Sequence, residues 1–107
     1  MTGQAALSSA MRQAIITAVS RDSRVDRVLL FGSRAKGTHR EGSDIDLAVY
    51  GTNLTRADAA AWQETLEDEL FPWSVDIVIM GPDTHEQLRA HIERVGIPVT
   101  PPGHEDG

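Results

Sequence analysis

Phe31-Gly32-Ser33-Arg34-Ala35-Lys36-Gly37 closes an aliphatic run that begins at Val25, and Ser43-Asp44-Ile45-Asp46-Leu47-Ala48-Val49 opens another. A Gly-Ser turn and an alternating pair of carboxylates therefore stand in one short segment. In an extended strand, residues two apart share a face. Asp44 and Asp46 then project one way while Ile45, Leu47 and Val49 project the other. Two carboxylates held so close repel unless a cation lies between them. The segment reads as a metal-dependent nucleotide site.

Working outward, the same phase recurs over residues 75–80. Val75, Ile77 and Ile79 fall on one face of an expected strand, with Asp76, Val78 and Met80 on the other. A third acid is thus opposite an aliphatic stripe. Residues 25–31, dense in Val28, Leu29, Leu30 and Phe31, form the expected first strand, broken by Gly32-Ser33. Residues 33–36 leave room for a short helical turn, and residues 38–42 are loop by composition.

Three helices complete the reading. Residues 5–20 place Leu7, Met11, Ile15, Ala18 and Val19 at helical spacing. Thr55, with Asp58 three residues later, has the spacing of a capping box and opens a helix through Ala59, Trp62, Leu66 and Leu70 that Pro72 ends. Thr84 and Gln87 have the same spacing before a last helix through Leu88, His91, Ile92 and Val95, stopped at Gly96. The expected fold is α/β (α+β), a small mixed sheet with helices packed on its aliphatic face and Asp44, Asp46 and Asp76 on the other. The expected organisation is one domain over residues 1–97 and a disordered tail over 98–107, which carries three prolines and two glycines.

Composition bounds the function. A chain of 107 residues supports a single core but no separate substrate domain, so a second substrate would be gripped by a shallow surface or by a partner. Sixteen acidic against ten basic residues give a net charge of -6, which argues against extended nucleic-acid binding. The absence of cysteine excludes disulfides and thiolate metal sites. No apolar run approaches the roughly 20 residues of a membrane span, and the Met-Thr-Gly-Gln start lacks the features of a signal peptide. A cytoplasmic protein is expected.

The three motifs together resemble the DNA polymerase beta-like nucleotidyltransferase superfamily. Within it they are most similar to the minimal nucleotidyltransferases, antitoxin partners of HEPN-domain toxins. The likeness spans roughly residues 24–95, and the compound motif is far more specific than either half. It implies transfer of AMP from ATP to a hydroxyl with release of pyrophosphate. Carried onto this chain, Gly32 and Ser33 would approach the triphosphate, with Arg34 and Lys36 as further phosphate contacts. Asp44, Asp46 and Asp76 would be the catalytic acids and would hold two Mg2+ ions, a set suited to in-line displacement. Asp76 would also polarise the attacking hydroxyl. The implied acceptor is a tyrosine of a HEPN toxin, in a hetero-oligomeric, type VII-like toxin–antitoxin pair. Two alternatives stand beside it: an antitoxin that neutralises by binding alone, and a small-molecule nucleotidyltransferase of the aminoglycoside-modifying kind.

The remaining features have blander readings. Gly32 and Gly37 have the separation of a P-loop, but the Gly-Lys-Ser/Thr ending is missing. His39, His85, His91 and His104 lack metal-ligand spacing, so no zinc site is expected. Phe71, Trp73 and Trp62 read first as core and second as partner contacts. Glu64, Glu67, Asp68 and Glu69 read as a solvated acidic helix face.

Overall fold

The computed structural model describes residues 7–32 and 44–99. Helix α1 (Ser9–Ile15) starts at the N-cap Ser8, whose hydroxyl accepts from the Met11 N–H at 3.1 Å. It widens into one π-helical turn, Ile16–Ser20, closed by the Arg21 N–H donating to the Ile16 carbonyl. Strands β1 (Val25–Phe31), β2 (Ile45–Gly51) and β3 (Val75–Met80) occupy the three expected stretches. Helix α2 (Arg56–Glu69) carries the expected capping box, with Thr55 and Asp58 each accepting from the other's backbone N–H.

The sheet is mixed, in the order β3-β2-β1-β4. Strands β1 and β2 are antiparallel, with Leu30 opposite Leu47 and Phe31 opposite Asp46. Strands β2 and β3 are parallel, which requires a crossover connection, and α2 supplies it. On one face Val28, Leu30, Ile45, Leu47, Val49, Val75 and Ile77 meet Ile15 and Val19 of the first helix and Trp62 and Leu66 of α2. Leu47 and Leu66 are fully buried at its centre.

Three features differ from the sequence reading. Helix α3 (Glu86–Val95) covers the opposite face, where Ile92 packs on Leu29, Ala48 and Met80. Those three residues are themselves apolar, so the second face carries a smaller core of its own. The α3 N-cap is His85, whose Nδ1 accepts from the Gln87 N–H, while Thr84 instead receives the Gly81 N–H in the preceding turn. Finally, Ile97–Pro98 forms β4 against β1, and Val99 is buried with its N–H donated to the Val28 carbonyl. The sheet therefore takes in Pro98, the first residue of the expected tail. The rest of the proposed tail, the start of the first expected helix and the short helical turn at 33–36 lie outside the described residues.

Arg24 ties the start of β1 to α2. Its guanidinium reaches Asp22 at 2.9 Å and Asp58 at 3.1 Å, and also donates to the Asn53 carbonyl. These bonds hold Asp22 down to about 2 and lower Asp58 as well. Depressed acids contribute stability that is fully present above their ordinary value of 3.8 and is lost as pH falls through the folded-state value. Chemical denaturation at stepped pH should therefore show stability declining between pH 4 and about 2, and Arg24→Met should flatten that decline.

Candidate active site

The central strand β2 carries Asp46 between two neighbours of known register: Phe31 on β1 and Asp76 on β3. Asp44 immediately precedes the strand, two residues from Asp46 and hence of the same phase. The sheet sets Asp46 level with Asp76 on the face opposite the main core, with Asp44 two residues before Asp46 in the same phase. Asp46 is partly buried, whereas Asp44 and Asp76 are exposed.

Gly32 completes the corner. It adopts a φ of 79°, the left-handed region that side chains disfavour. A Cβ added there would overlap Asp46 Oδ2 and lie 3.1 Å from Asp46 Cγ. The glycine is thus demanded twice, by its own backbone and by the carboxylate against it. This contact seats Gly32 directly against Asp46. Ser33, Arg34 and Lys36 lie outside the described residues.

The electrostatics are those of a crowded anionic corner. Burial pushes the Asp46 carboxyl above its ordinary value of 3.8, and the nearby charges of Asp76 and Asp44 push it further. The donor set is all carboxylate oxygen, which fits a hard divalent cation such as Mg2+. Among the described residues no three His, Cys, Asp or Glu side chains converge into a ready-made metal-binding group. Among the described residues the corner thus combines carboxylate oxygens with mutual repulsion.

Three residues have roles other than those the sequence suggests. His91 of α3 meets the Phe31 ring edge-on, with centroids 6.4 Å apart at 85°, so the last helix reaches the margin of the site. Phe71 is 80% exposed, the one large exposed hydrophobic among the described residues, and not core. Its turn leads to Ser74, whose carbonyl accepts from the Ile45 N–H beside Asp44. Trp73 and Trp62 do pack against the core as expected. Glu67 is more than a solvated face residue, since its carboxylate receives the Val75 N–H at 2.9 Å. His85 serves as a helix cap. His39 and His104 lie outside the described residues. No described helix is long and apolar enough to cross a membrane.

A family model described as polymerase beta, nucleotidyltransferase matches residues 13–101. Among solved structures, a candidate minimal nucleotidyltransferase is 36% identical, with a TM-score of 0.64 over 83% of this chain and 89% of the other. A toxin–antitoxin structure with AMP-PNP gives a TM-score of 0.73 at 24% identity, covering 89% of this chain and 77% of the other. A complex of a tri-AMPylated HEPN toxin from Shewanella oneidensis with its MNT antitoxin gives 0.67 at 20% identity, over 90% and 74%. The latter two likenesses are of fold. No curated protein matches the chain in sequence.

Two outcomes follow from the corner itself. Asp46→Asn should raise the thermal midpoint at neutral pH, because a raised carboxyl weakens the fold once ionised; scans at decreasing pH should see the gain vanish as both forms become neutral below 3.8. Gly32→Ala should lower the unfolding free energy by about 1–3 kcal/mol in urea titration. Adding Asp46→Ala should recover part of that loss by removing the overlapped carboxylate.

Proposed function

This chain belongs to the polymerase beta nucleotidyltransferase family, and from that premise we propose that it transfers AMP from ATP to a hydroxyl of a protein partner, a HEPN-domain toxin tyrosine, and so acts as an antitoxin. The observation that carries the reading is the register of Asp46 with Asp76 beside a glycine whose missing side chain leaves room for the Asp46 carboxylate. Such a corner is costly for stability. A nucleotide with its counter-ions would relieve it.

In this reading the Gly32 turn brings backbone close to the triphosphate, with Ser33, Arg34 and Lys36 taking its phosphate oxygens. Asp44, Asp46 and Asp76 would hold Mg2+, which when bound supplies positive charge for the oxygens entering and leaving the α-phosphorus. The acceptor oxygen forms a bond to the α-phosphorus as the bond to the bridging oxygen breaks, and pyrophosphate departs with that electron pair. Asp76, the exposed acid on the outer strand, takes the hydroxyl proton. Phe71, exposed in the segment that leads into β3, offers an arriving protein an apolar contact. The fold likeness to toxin–antitoxin proteins, one of them with AMP-PNP and another with an AMPylated toxin, supports a protein acceptor.

The test is to incubate the chain with labelled ATP, Mg2+ and the HEPN-domain protein encoded beside it, against the Asp44→Asn, Asp46→Asn variant. Label should appear on the partner and fall about 100-fold or more in the variant. Neutralisation that is equally strong in both proteins and leaves the partner unlabelled would establish binding alone. Label on a small hydroxyl compound in place of the partner would establish the small-molecule activity.

A further inference from the structure

Strand β3 is an outer strand among those described, so its outward backbone N–H groups have no strand to pair with. Two of them are nonetheless satisfied. The Val75 N–H donates to Glu67 Oε2 and the Ile77 N–H to Gln63 Oε1, each at 2.9 Å. Both acceptors come from α2, and both are only partly exposed.

The spacing explains why this works. Four residues of helix rise about 6 Å and two residues of strand about 6.6 Å, so an i, i+4 pair on a helix lying along a strand can meet alternate N–H groups. Gln63 and Glu67 are that pair. Between their two targets stands Asp76.

We propose that Gln63 and Glu67 are positioning residues for Asp76, an inference that rests on the nucleotidyltransferase reading for the role of that acid. The Ile77 N–H belongs to the peptide unit that follows Asp76, so Gln63 restrains the rotation of Asp76 about its Cα–C bond. Glu67 restrains the peptide unit before Val75. On the inner side, the parallel ladder to β2 sets Asp76 level with Asp46. Held from both edges, the Asp76 Cα–Cβ direction is fixed beside two like charges that would otherwise drive it away. An outer strand without these bonds would fray at the residue the site needs most.

This assigns a task to Glu67 of the acidic helix face, and to Gln63 one turn before it, that solvation alone does not require. An acceptor oxygen is what matters at each position, not the charge. Glu67→Gln and Gln63→Glu retain it. Gln63→Leu and Glu67→Leu remove it.

The experiment uses the full chain in three forms: wild type, Gln63→Leu with Glu67→Leu, and the conservative Glu67→Gln. Amide exchange should speed up at Val75 and Ile77 in the leucine variant. Mn2+ titration, read by paramagnetic broadening of the Asp76 amide signal, should show affinity reduced by about 10- to 100-fold. In the transfer assay, kcat should fall by a similar factor while the KM for ATP stays within about twofold. Glu67→Gln should restore wild-type values in all three. Should the double variant fail to fold, Gln63→Leu alone should show the same pattern at Ile77. Faster exchange with unchanged Mn2+ affinity and kcat would overturn the proposal and leave only protection of the strand edge. A wild-type protein that transfers no nucleotide would overturn the functional reading instead, with the exchange and Mn2+ measurements still deciding the positioning role.

Discussion

The parallel pairing of β2 with β3 sets Asp46 and Asp76 side by side while it buries Ile45, Leu47, Val75 and Ile77 on the reverse. Those are one event, because side chains alternate along both strands. A slip by one residue would place the acids in the core and the aliphatic residues outside, which burial energetics forbid. The main core therefore enforces the geometry of the site. The repulsion among the acids is carried by hydrophobic burial on the other face of the same strands.

Around that pairing the structure uses backbone groups to stiffen what charge would loosen. Gly32 yields space for the Asp46 carboxylate, which a Cβ would occupy. The β1–β2 ladder places Phe31 against Asp46, and α3 braces Phe31 through His91. On the outer side, α2 reaches β3 through Gln63 and Glu67. The strand that carries the third acid is held by a helix as well as by a neighbouring strand. A corner with raised Asp46 and exposed Asp44 and Asp76 is a place where burial and like charges cost stability.

Much of the fold was legible because its signals are local. The aliphatic density of residues 25–31 and the alternation over 45–50 and 75–80 suit strand geometry, and Thr55 with Asp58 satisfies helix N–H groups within four residues of chain. The last helix was legible in its body but not at its start. Thr84 and Gln87 had suitable spacing, yet the turn at Gly81 engaged Thr84 and left His85 as the cap. Strand β4 was hidden by Pro98, which lacks an N–H and reads as the beginning of a tail. An outer strand two residues long tolerates it.

The sequence by itself determined the chemistry of the corner: a glycine after the first strand and three carboxylates in the phase opposite the aliphatic stripes. These depend on covalent geometry and residue chemistry, which need no knowledge of the fold. Only the tertiary structure decided which strand lies beside which, that Gly32 is seated against Asp46, that α3 covers the second face up to the site, and that Phe71 is exposed while Trp73 packs inward. It also decided that Glu67 faces the outer strand. Each of these joins residues distant in the chain, through packing whose outcome no local period encodes.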